Sequence, residues 1–462
     1  MKLTIWGAAK QVTGSMHLLE LENYTILIDC GLDYERDTYV EENEQFPFDP
    51  SDIDAVILTH AHIDHSGNLP TLVRMGFEGQ ILCTPPTADL TELLLLDSVN
   101  VFLARQRKKR HGKRGSSGPK PLYLQKHVME TVDRFVTIAF NKPFHINGNT
   151  SLTFIPAGHL LGAAHVILTV TEHGIEKKIA FSGDIGRENY SVIVDPEPLP
   201  QVDYLVCEST YGGRQHSTGK TIEQVLTETV EEACIKTPGR LIIPAFSIGR
   251  TQALVYSLNK IFSKGLLPRV KVFVDSPLAG YATEVFRKHH NLVNEEARNF
   301  YRREGDEFEF ENLFYTQNME ESKDILNYLE PCIIISSAGM LEGGRIQDHL
   351  YYNIQNYYCT ILFIGYCAKG TLGHRLLRGD PVVHIRDRDL SVYATIKQTD
   401  LLSGHAGHDG LVNFVKQQES GKLKNVFLVH GEPESMVALS EALDAEGYTV
   451  IIPEKGRVFE LS

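Results

Sequence analysis

A chain of 462 residues exceeds what one hydrophobic core ordinarily organises, so two to three domains are expected, with two packed lobes as the simplest case. Apolar residues at 42% and charged residues at 23% are ordinary for a globular protein and exclude a wholly disordered chain or a fibrous repeat. A formal charge of −14 excludes a surface built for indiscriminate attraction to polyanions, although a cleft that gathers cations can still hold phosphates.

The amino-terminal segment alternates apolar and polar residues and turns at glycines (TIWGAA, HLLEL, YTILIDCG), which predicts paired strands and not the apolar centre of a signal peptide. No apolar run nears the roughly 18 residues that span a bilayer, so no membrane association is expected. Strand-like segments continue at AVILTH, QILCT, SLTFIPA, AHVILTV, KIAFSGD and YLVCES, with a helix-like stretch from Thr87 to Lys109 among them. That stretch runs into Arg105 to Arg114, where seven basic side chains precede a loop-like GSSGPKP; a solvated helix end is the first reading and an RNA-backbone contact the second. From about Tyr211, helices alternate with buried-looking strands (RLIIPAF, VKVFVDS, CIIISS, TILFIGYC), the pattern of a parallel sheet with crossover helices and hence of a second domain. After about Tyr393 the pattern of the first domain returns. The seven cysteines (Cys30, Cys83, Cys207, Cys234, Cys332, Cys359, Cys367) contain no C-x-x-C pair, which points to a reducing cytoplasm and away from thiolate metal sites.

The densest chemistry is His60-Ala-His62-Ile-Asp64-His65, directly after the apolar strand AVILT and before the turn SGNLP. Four metal-capable side chains in six residues at a strand end can face one cleft: His60 and His62 could share one ion while Asp64 and His65 face a second. Imidazole and carboxylate without thiolate suit zinc, with manganese or iron as alternatives. Asp29 in LIDCG, His159 in AGHLLGAAH, Asp184 in SGD and His430 in LVHGE each follow an apolar strand and border a glycine, as expected where backbone bends tightly to bring a polar group to a cleft. Spacing alone does not make them converge, and a turn-capping carboxylate is the rival reading for Asp29 and Asp184.

H-x-H-x-D-H with AGH, SGD and VHGE resembles the metallo-β-lactamase superfamily, and the insertion resembles that of its β-CASP nucleases, over essentially the whole chain. The nearest patterns are bacterial β-CASP ribonucleases and the endonuclease subunit of the eukaryotic pre-mRNA 3′-end cleavage complex. The resemblance implies an α/β fold: an αββα metallo-β-lactamase sandwich at 1–208 and 395–462, interrupted by a β-CASP domain at 209–394. It further implies two zinc ions, one on His60, His62 and His159, the other on Asp64, His65 and His430, with Asp184 bridging and Asp29 supporting the metal loop from behind. His165 is a rival to His159, which is preferred because AGHLLGAA is the family's string.

Cys207 to Gly212 (CESTYG) and Ser403 to Ala406 (SGHA) resemble β-CASP motifs A and B, by which Glu208 orients His405. Phosphodiester hydrolysis needs an activated water in line with phosphorus, charge stabilisation on the non-bridging oxygens, and a proton for the departing sugar oxygen. His405 is assigned that last task, and the catalytic set is completed by Glu208, Asp29 and Asp64; His408 is read as structural. Glycine-flanked turns carrying Ser247, Arg250, Ser276, Ser337, Gly339 and Arg345 read as contacts to an RNA backbone, with a purely structural role as the alternative. The family commonly has acidic residues where this chain has Gly213 and Gly407.

Histidine at 430 is the RNA-processing pattern, whereas the DNA-repair branch usually has valine. A small-molecule thioesterase would have no use for the long insertion between Glu208 and His405. The expected activity is endonucleolytic hydrolysis of single-stranded RNA leaving 5′-phosphate and 3′-hydroxyl ends, with a 5′-exoribonuclease as runner-up. The expected partners are single-stranded RNA and, in a homodimer, a second copy of the chain.

Overall fold

In a computed structural model of the chain, residues 1–33, 45–112, 121–217 and 219–462 are described. The backbone divides into two compact units, one comprising Met1–Glu188, Asp195–Gln215 and His405–Ser462, the other Asn189–Val194 and His216–Gly404.

The first unit contains two seven-stranded mixed sheets. One runs in the order Arg457–Glu460, Lys2–Ile5, His17–Glu20, Thr25–Ile28, Ala55–Ile57, Gln80–Cys83, Phe135–Thr137, antiparallel up to Thr25–Ile28 and parallel beyond. The other runs Val450–Ile451, Asn425–Val429, Tyr204–Glu208, Ile175–Phe181, Ala164–Glu172, Thr150–Pro156, Phe144–His145, parallel up to Ile175–Phe181 and antiparallel beyond. Side chains that alternate along each strand divide between two cores. Leu3, Ile5, Ile26, Phe154, Phe181, Val206 and Phe427 fill the space between the sheets. Leu205, Val426 and Leu428 point the other way, against Leu411, Phe414, Met436 and Leu439 of the helices His408–Lys416 and Pro433–Ala445. Leu27, Val56 and Ile81 likewise pack outward on Leu69 and Leu72 of the helix Leu69–Arg74. The order helix, sheet, sheet, helix is the αββα sandwich, and it explains why strands such as Tyr204–Glu208 read as unbroken apolar runs: both faces are covered. Each fully buried aliphatic side chain contributes about 1.5–3 kcal/mol.

The second unit is built on a six-stranded all-parallel sheet, in the order Leu313–Tyr315, Lys271–Asp275, Cys332–Ser336, Arg240–Pro244, Cys359–Phe363, Thr395–Gln398. Ile242, Ile334, Ile361 and Phe363 form its core together with Ile346, Leu350 and Leu372. Thr395–Gln398 pairs with Cys359–Phe363, so this stretch belongs to the insertion, whereas the sequence pattern assigns it to the returning sandwich; a four-residue strand carries too little pattern to say which sheet it joins. The unit likewise begins at His216, not 209, and takes in Asn189–Val194, whose Val192 carbonyl accepts from Asn294 N. The edge strand Leu313–Tyr315, a three-residue apolar run beside charged residues, is not among the strands read from the sequence. The helix Pro85–Gly112 takes in the basic segment only as far as Gly112; the side chains of Arg105 to Gly112, and Lys113 and Arg114 altogether, lie outside the described residues.

Candidate metal centre

Every candidate ligand sits just past the end of a strand. Thr25–Ile28 delivers Asp29, Ala55–Ile57 delivers His60 to His65, Thr150–Pro156 delivers His159, Ile175–Phe181 delivers Asp184, and Asn425–Val429 delivers His430. Asp29 and His430 take left-handed backbone φ values of 60° and 52°, which cost about 1–2 kcal/mol each for residues with a side chain. Close backbone approach does the rest. A Cβ on Gly31 would lie 1.7 Å from the Asp64 carbonyl oxygen, and one on Gly183, itself at φ 54°, 2.9 Å from Thr59 Cβ, so the LIDCG and SGD turns reach the histidine loop only as glycine.

Two sets of side-chain atoms result. His62 Nδ1 lies 3.1 Å from both His60 Nε2 and His159 Nε2, and those two nitrogens each lie 3.4 Å from Asp184 Oδ2. The other Asp184 oxygen, Oδ1, lies 3.2 Å from His65 Nε2 and 3.5 Å from His430 Nε2, which is 3.6 Å from Asp64 Oδ2. One carboxylate thus offers an oxygen to each set.

The fit to metal ions follows from these distances and from what the atoms lack. The edge of a regular tetrahedron is about 1.63 times its centre-to-corner distance, so zinc–ligand bonds of about 2.0–2.1 Å require corners about 3.3–3.4 Å apart. In the first set, two contacts at 3.4 Å match that spacing and two at 3.1 Å fall slightly inside it. His65 Nε2, His430 Nε2 and Asp184 Oδ1 are buried without a hydrogen-bond partner among the described residues, a cost of about 1–3 kcal/mol each unless something coordinates them. Burial holds His60 well below the usual histidine pKa and His62 down to about 4, which keeps each ring neutral, with one nitrogen's lone pair available to a metal. Burial also opposes charge on His430, yet the carboxylates of Asp184 and Asp64 outweigh it and raise its pKa, the mark of a pocket with surplus negative charge.

A further layer orients these groups. Asp29 Oδ2 lies 2.6 Å from His65 Nδ1, while Asp29 accepts from Thr59 N at 2.8 Å and Thr59 Oγ1 at 2.9 Å. Thr59 Oγ1 also lies 3.1 Å from His60 Nδ1, and Thr210 Oγ1 lies 3.0 Å from His430 Nδ1. Neither threonine stands out in the sequence; their signal is only that each adjoins a motif residue, His60 or the Glu208 string. His165 is turned away, its Nδ1 donating to the Ser182 carbonyl at 2.6 Å, and His159 takes the place in the cluster.

His405 borders the centre. Its ring lies 4.6 Å from that of His159, and its Nδ1 is 3.1 Å from Glu208 Oε1. Glu208 is fully buried and fixed by Ile185 N at 2.6 Å and Thr210 N at 3.2 Å. Burial works against a charged His405, but Glu208's charge and hydrogen bond, with Asp184 beyond, raise its pKa. His408 Nδ1 contacts the Gly212 carbonyl and its backbone N–H donates to the Arg214 carbonyl, so it pins motif A to the first turn of the helix His408–Lys416. Gly407 caps that helix, and a Cβ on Gly213 would touch Ala438.

The RNA-contact candidates lie at the corresponding strand ends of the second unit. Ser276 Oγ is 3.0 Å from Ser247 Oγ and accepts from Ser337 Oγ at 3.3 Å, placing three hydroxyls together beside the start of the helix Pro277–Lys288, which Ser276 caps. Arg250 stacks on Phe246 at 4.6 Å, and a Cβ on Gly339 would lie 3.4 Å from Phe246 N. Arg345 is turned inward, with Nη1 donating to Asp275 at 2.8 Å and to Thr316 at 2.9 Å.

An αββα sandwich that gathers histidines and aspartates at its strand ends, interrupted by a parallel-sheet unit, defines a metallohydrolase with an inserted domain. Sequence profiles sharpen this: the metallo-β-lactamase superfamily matches residues 10–226, the β-CASP domain 251–376, and a domain described as "Zn-dependent metallo-hydrolase RNA specificity domain" 389–453. Ribonuclease TTHA0252 of Thermus thermophilus is 30% identical over 457 residues, covering 99% of each chain. The transcription termination factor FttA of Methanosarcina mazei is 29% identical over 461 residues, covering 96% of this chain and 69% of its own. A crystal structure of an Enterococcus faecalis protein of unknown function shares the fold, with a TM-score of 0.57 at 14% identity over 100% of this chain and 99% of that one. The chain belongs to the β-CASP ribonuclease family of the metallo-β-lactamase superfamily, whose members are zinc-dependent metallohydrolases.

Proposed function

We propose that this protein hydrolyses single-stranded RNA internally, leaving 5′-phosphate and 3′-hydroxyl ends, with two zinc ions held by His60, His62 and His159 on one side, by Asp64, His65 and His430 on the other, and by Asp184 between them. The observation that carries the reading is the placement of Glu208-bound His405 beside a carboxylate that faces both ligand sets. Bound zinc ions supply a nucleophile at neutral pH and stabilise charge on the phosphate oxygens.

The chain's own residues do the remainder. His405, its Nδ1 side tied to Glu208, presents its other nitrogen to give a proton to the departing 3′ oxygen, an effect of about 10²- to 10⁴-fold. Asp29, Thr59 and Thr210 hold the ligating imidazoles in one orientation. Ser247, Ser276, Ser337, Gly339 and Arg250 are the proposed contacts to the RNA backbone, while Arg345, turned inward onto Asp275, supports the turn that carries Ser276. RNA as substrate is supported by the match of residues 389–453 to the RNA specificity domain and by the ribonuclease relative. Internal cutting is supported by the resemblance to the pre-mRNA cleavage endonuclease. Seven cysteines without a disulfide fit a cytoplasmic location. Among the described residues no helix is long and apolar enough to cross a membrane.

The test uses an end-labelled unstructured RNA, the same RNA closed into a circle, and the matching single-stranded DNA, with zinc or manganese and with chelator. Chelator-sensitive cutting of linear and circular RNA, lost in His62→Ala and His405→Ala, is expected. Cutting confined to linear RNA would make the enzyme an exonuclease, and cutting of DNA alone would overturn the substrate.

A further inference from the structure

Behind the metal centre lies a histidine that no motif claims. His17 opens the strand His17–Glu20, pairs in register with Ile28 next to Asp29, and is 4% exposed. A strand residue facing the space between two sheets is ordinarily aliphatic, and its ring does stack near Phe181, with centroids 6.2 Å apart and planes at 16°. The imidazole nevertheless has two nitrogens to satisfy. Nε2 is 3.2 Å from Ser15 Oγ, and Nδ1 has no partner among the described residues.

His17 lines a small chamber of about 10 Å³ whose apolar wall is Ile28, Phe181, Val206 and Val429 and whose polar wall includes Ser15, Asp29, Thr59, His65 and His430. That is the volume of about one water-sized sphere, and a buried water requires two to four polar neighbours, which this wall offers. The chamber's wall includes the Asp29–His65 pair, whose 2.6 Å contact sets the orientation of a candidate ligand. A neutral imidazole has one nitrogen that donates and one that accepts, so in either tautomer Nδ1 has one hydrogen bond to give or to take, and water can serve either.

We propose that His17, anchored by Ser15, holds a single water molecule in this chamber and through it steadies the Asp29–His65–His430 side of the metal centre. His17 is a positioning residue: it touches neither substrate nor the coordinated atoms, and its effect is confined to the second of the two ligand sets. The inference rests on the two-ion reading above.

Cobalt(II) titration of the metal-stripped full-length protein, with absorbance and chelator competition as readouts, tests it. Two resolved equivalents are expected for the wild type. In His17→Phe, which packs on Phe181 but cannot hydrogen-bond, one equivalent should weaken by about 10- to 100-fold, with a changed visible spectrum, while the other is unaltered. His17→Gln, which keeps a donor and an acceptor, should restore most of the loss, and Ser15→Ala should give a smaller selective loss. If His17→Phe does not fold, the Gln and Ala variants carry the same comparison. Equal binding of both equivalents in folded His17→Phe and Ser15→Ala would overturn the inference and leave the ring as packing. A wild type that binds fewer than two equivalents would instead overturn the two-ion reading.

Discussion

Glu208 and His405 are 197 residues apart in the chain, on opposite sides of the inserted unit, yet Glu208 Oε1 lies 3.1 Å from His405 Nδ1. The carboxylate is also held by two backbone amides, so its position does not depend on the histidine. It is a fixed template against which the imidazole is set. Glu208→Gln keeps the shape and loses the charge that favours a protonated ring. We expect kcat on RNA to fall by about 10²-fold or more with KM within a factor of a few, since proton donation belongs to the transition state. A variant in which KM rises and kcat holds would make Glu208 a substrate-binding group.

Asp184 supplies one oxygen to each ligand set, and a ligand that binds only the folded state stabilises it by about 2.7 kcal/mol at a hundred times its dissociation constant. Zinc should therefore raise the melting temperature of the wild-type protein, and chelator should lower it. Asp184→Asn should abolish most of that response, because both positions lose an anionic donor, whereas His62→Ala should retain part of it. Differential scanning fluorimetry with and without zinc reads this directly. An unchanged zinc response in Asp184→Asn would sink the bridging role.

Much of this site is legible in the sequence because its chemistry is written in consecutive residues. His60, His62, Asp64 and His65 fall on one turn, and Glu208 and His405 sit in short strings. The supports are harder to read. Thr59 and Thr210 act through hydroxyls that any threonine has, and only the fold brings Thr59 within reach of Asp29, 30 residues back. His17 looks like one polar residue in an alternating strand until its neighbours across the sandwich are known. In the fold, the two-faced burial of strands such as Cys332–Ser336 is visible as an apolar run. The allegiance of Thr395–Gln398 is not, because exposure at an edge removes the pattern that would identify its sheet.

Asp275 is a buried carboxylate with four side-chain donors: Thr316 and Ser322 hydroxyls at 2.7 Å, Arg345 at 2.8 Å and His349 at 2.7 Å. Burial would raise its pKa, but these bonds outweigh it and hold the group well below the ordinary carboxylate range. Removing one partner of such an arrangement leaves the others desolvated, at about 3–5 kcal/mol. Asp275→Ala should lower stability by about that amount in thermal or urea unfolding, and Asp275→Asn, which still accepts on one oxygen, by less. Because Asp275 directly precedes Ser276, the hydroxyl cluster of Ser247, Ser276 and Ser337 loses its footing too. In the Asn variant we therefore expect KM for RNA to rise while metal binding stays intact.

Glu307 presents the reverse case, a carboxyl 2% exposed whose Oε1 lacks a hydrogen-bond partner among the described residues. Burial, with Asp306 adding to it, pushes its pKa up to about 7. His290 Nδ1 lies 3.1 Å away, but burial and Arg298 lower that imidazole's pKa, so it offers little compensating charge. In the unfolded chain the carboxyl titrates near ~4.3. Between about pH 4.5 and 7 the folded state therefore binds more protons than the unfolded state, and stability must fall as pH rises through that window, levelling off above it. The full shift corresponds to about 3 kcal/mol at most. Glu307→Gln removes the titration while keeping the shape. Urea unfolding at about pH 5 and about pH 8 should show wild type and variant nearly matched at the lower pH and the variant the more stable at the higher. A difference that does not change with pH would mean that Glu307 stays ionised throughout, with its charge answered by neighbours such as Arg287.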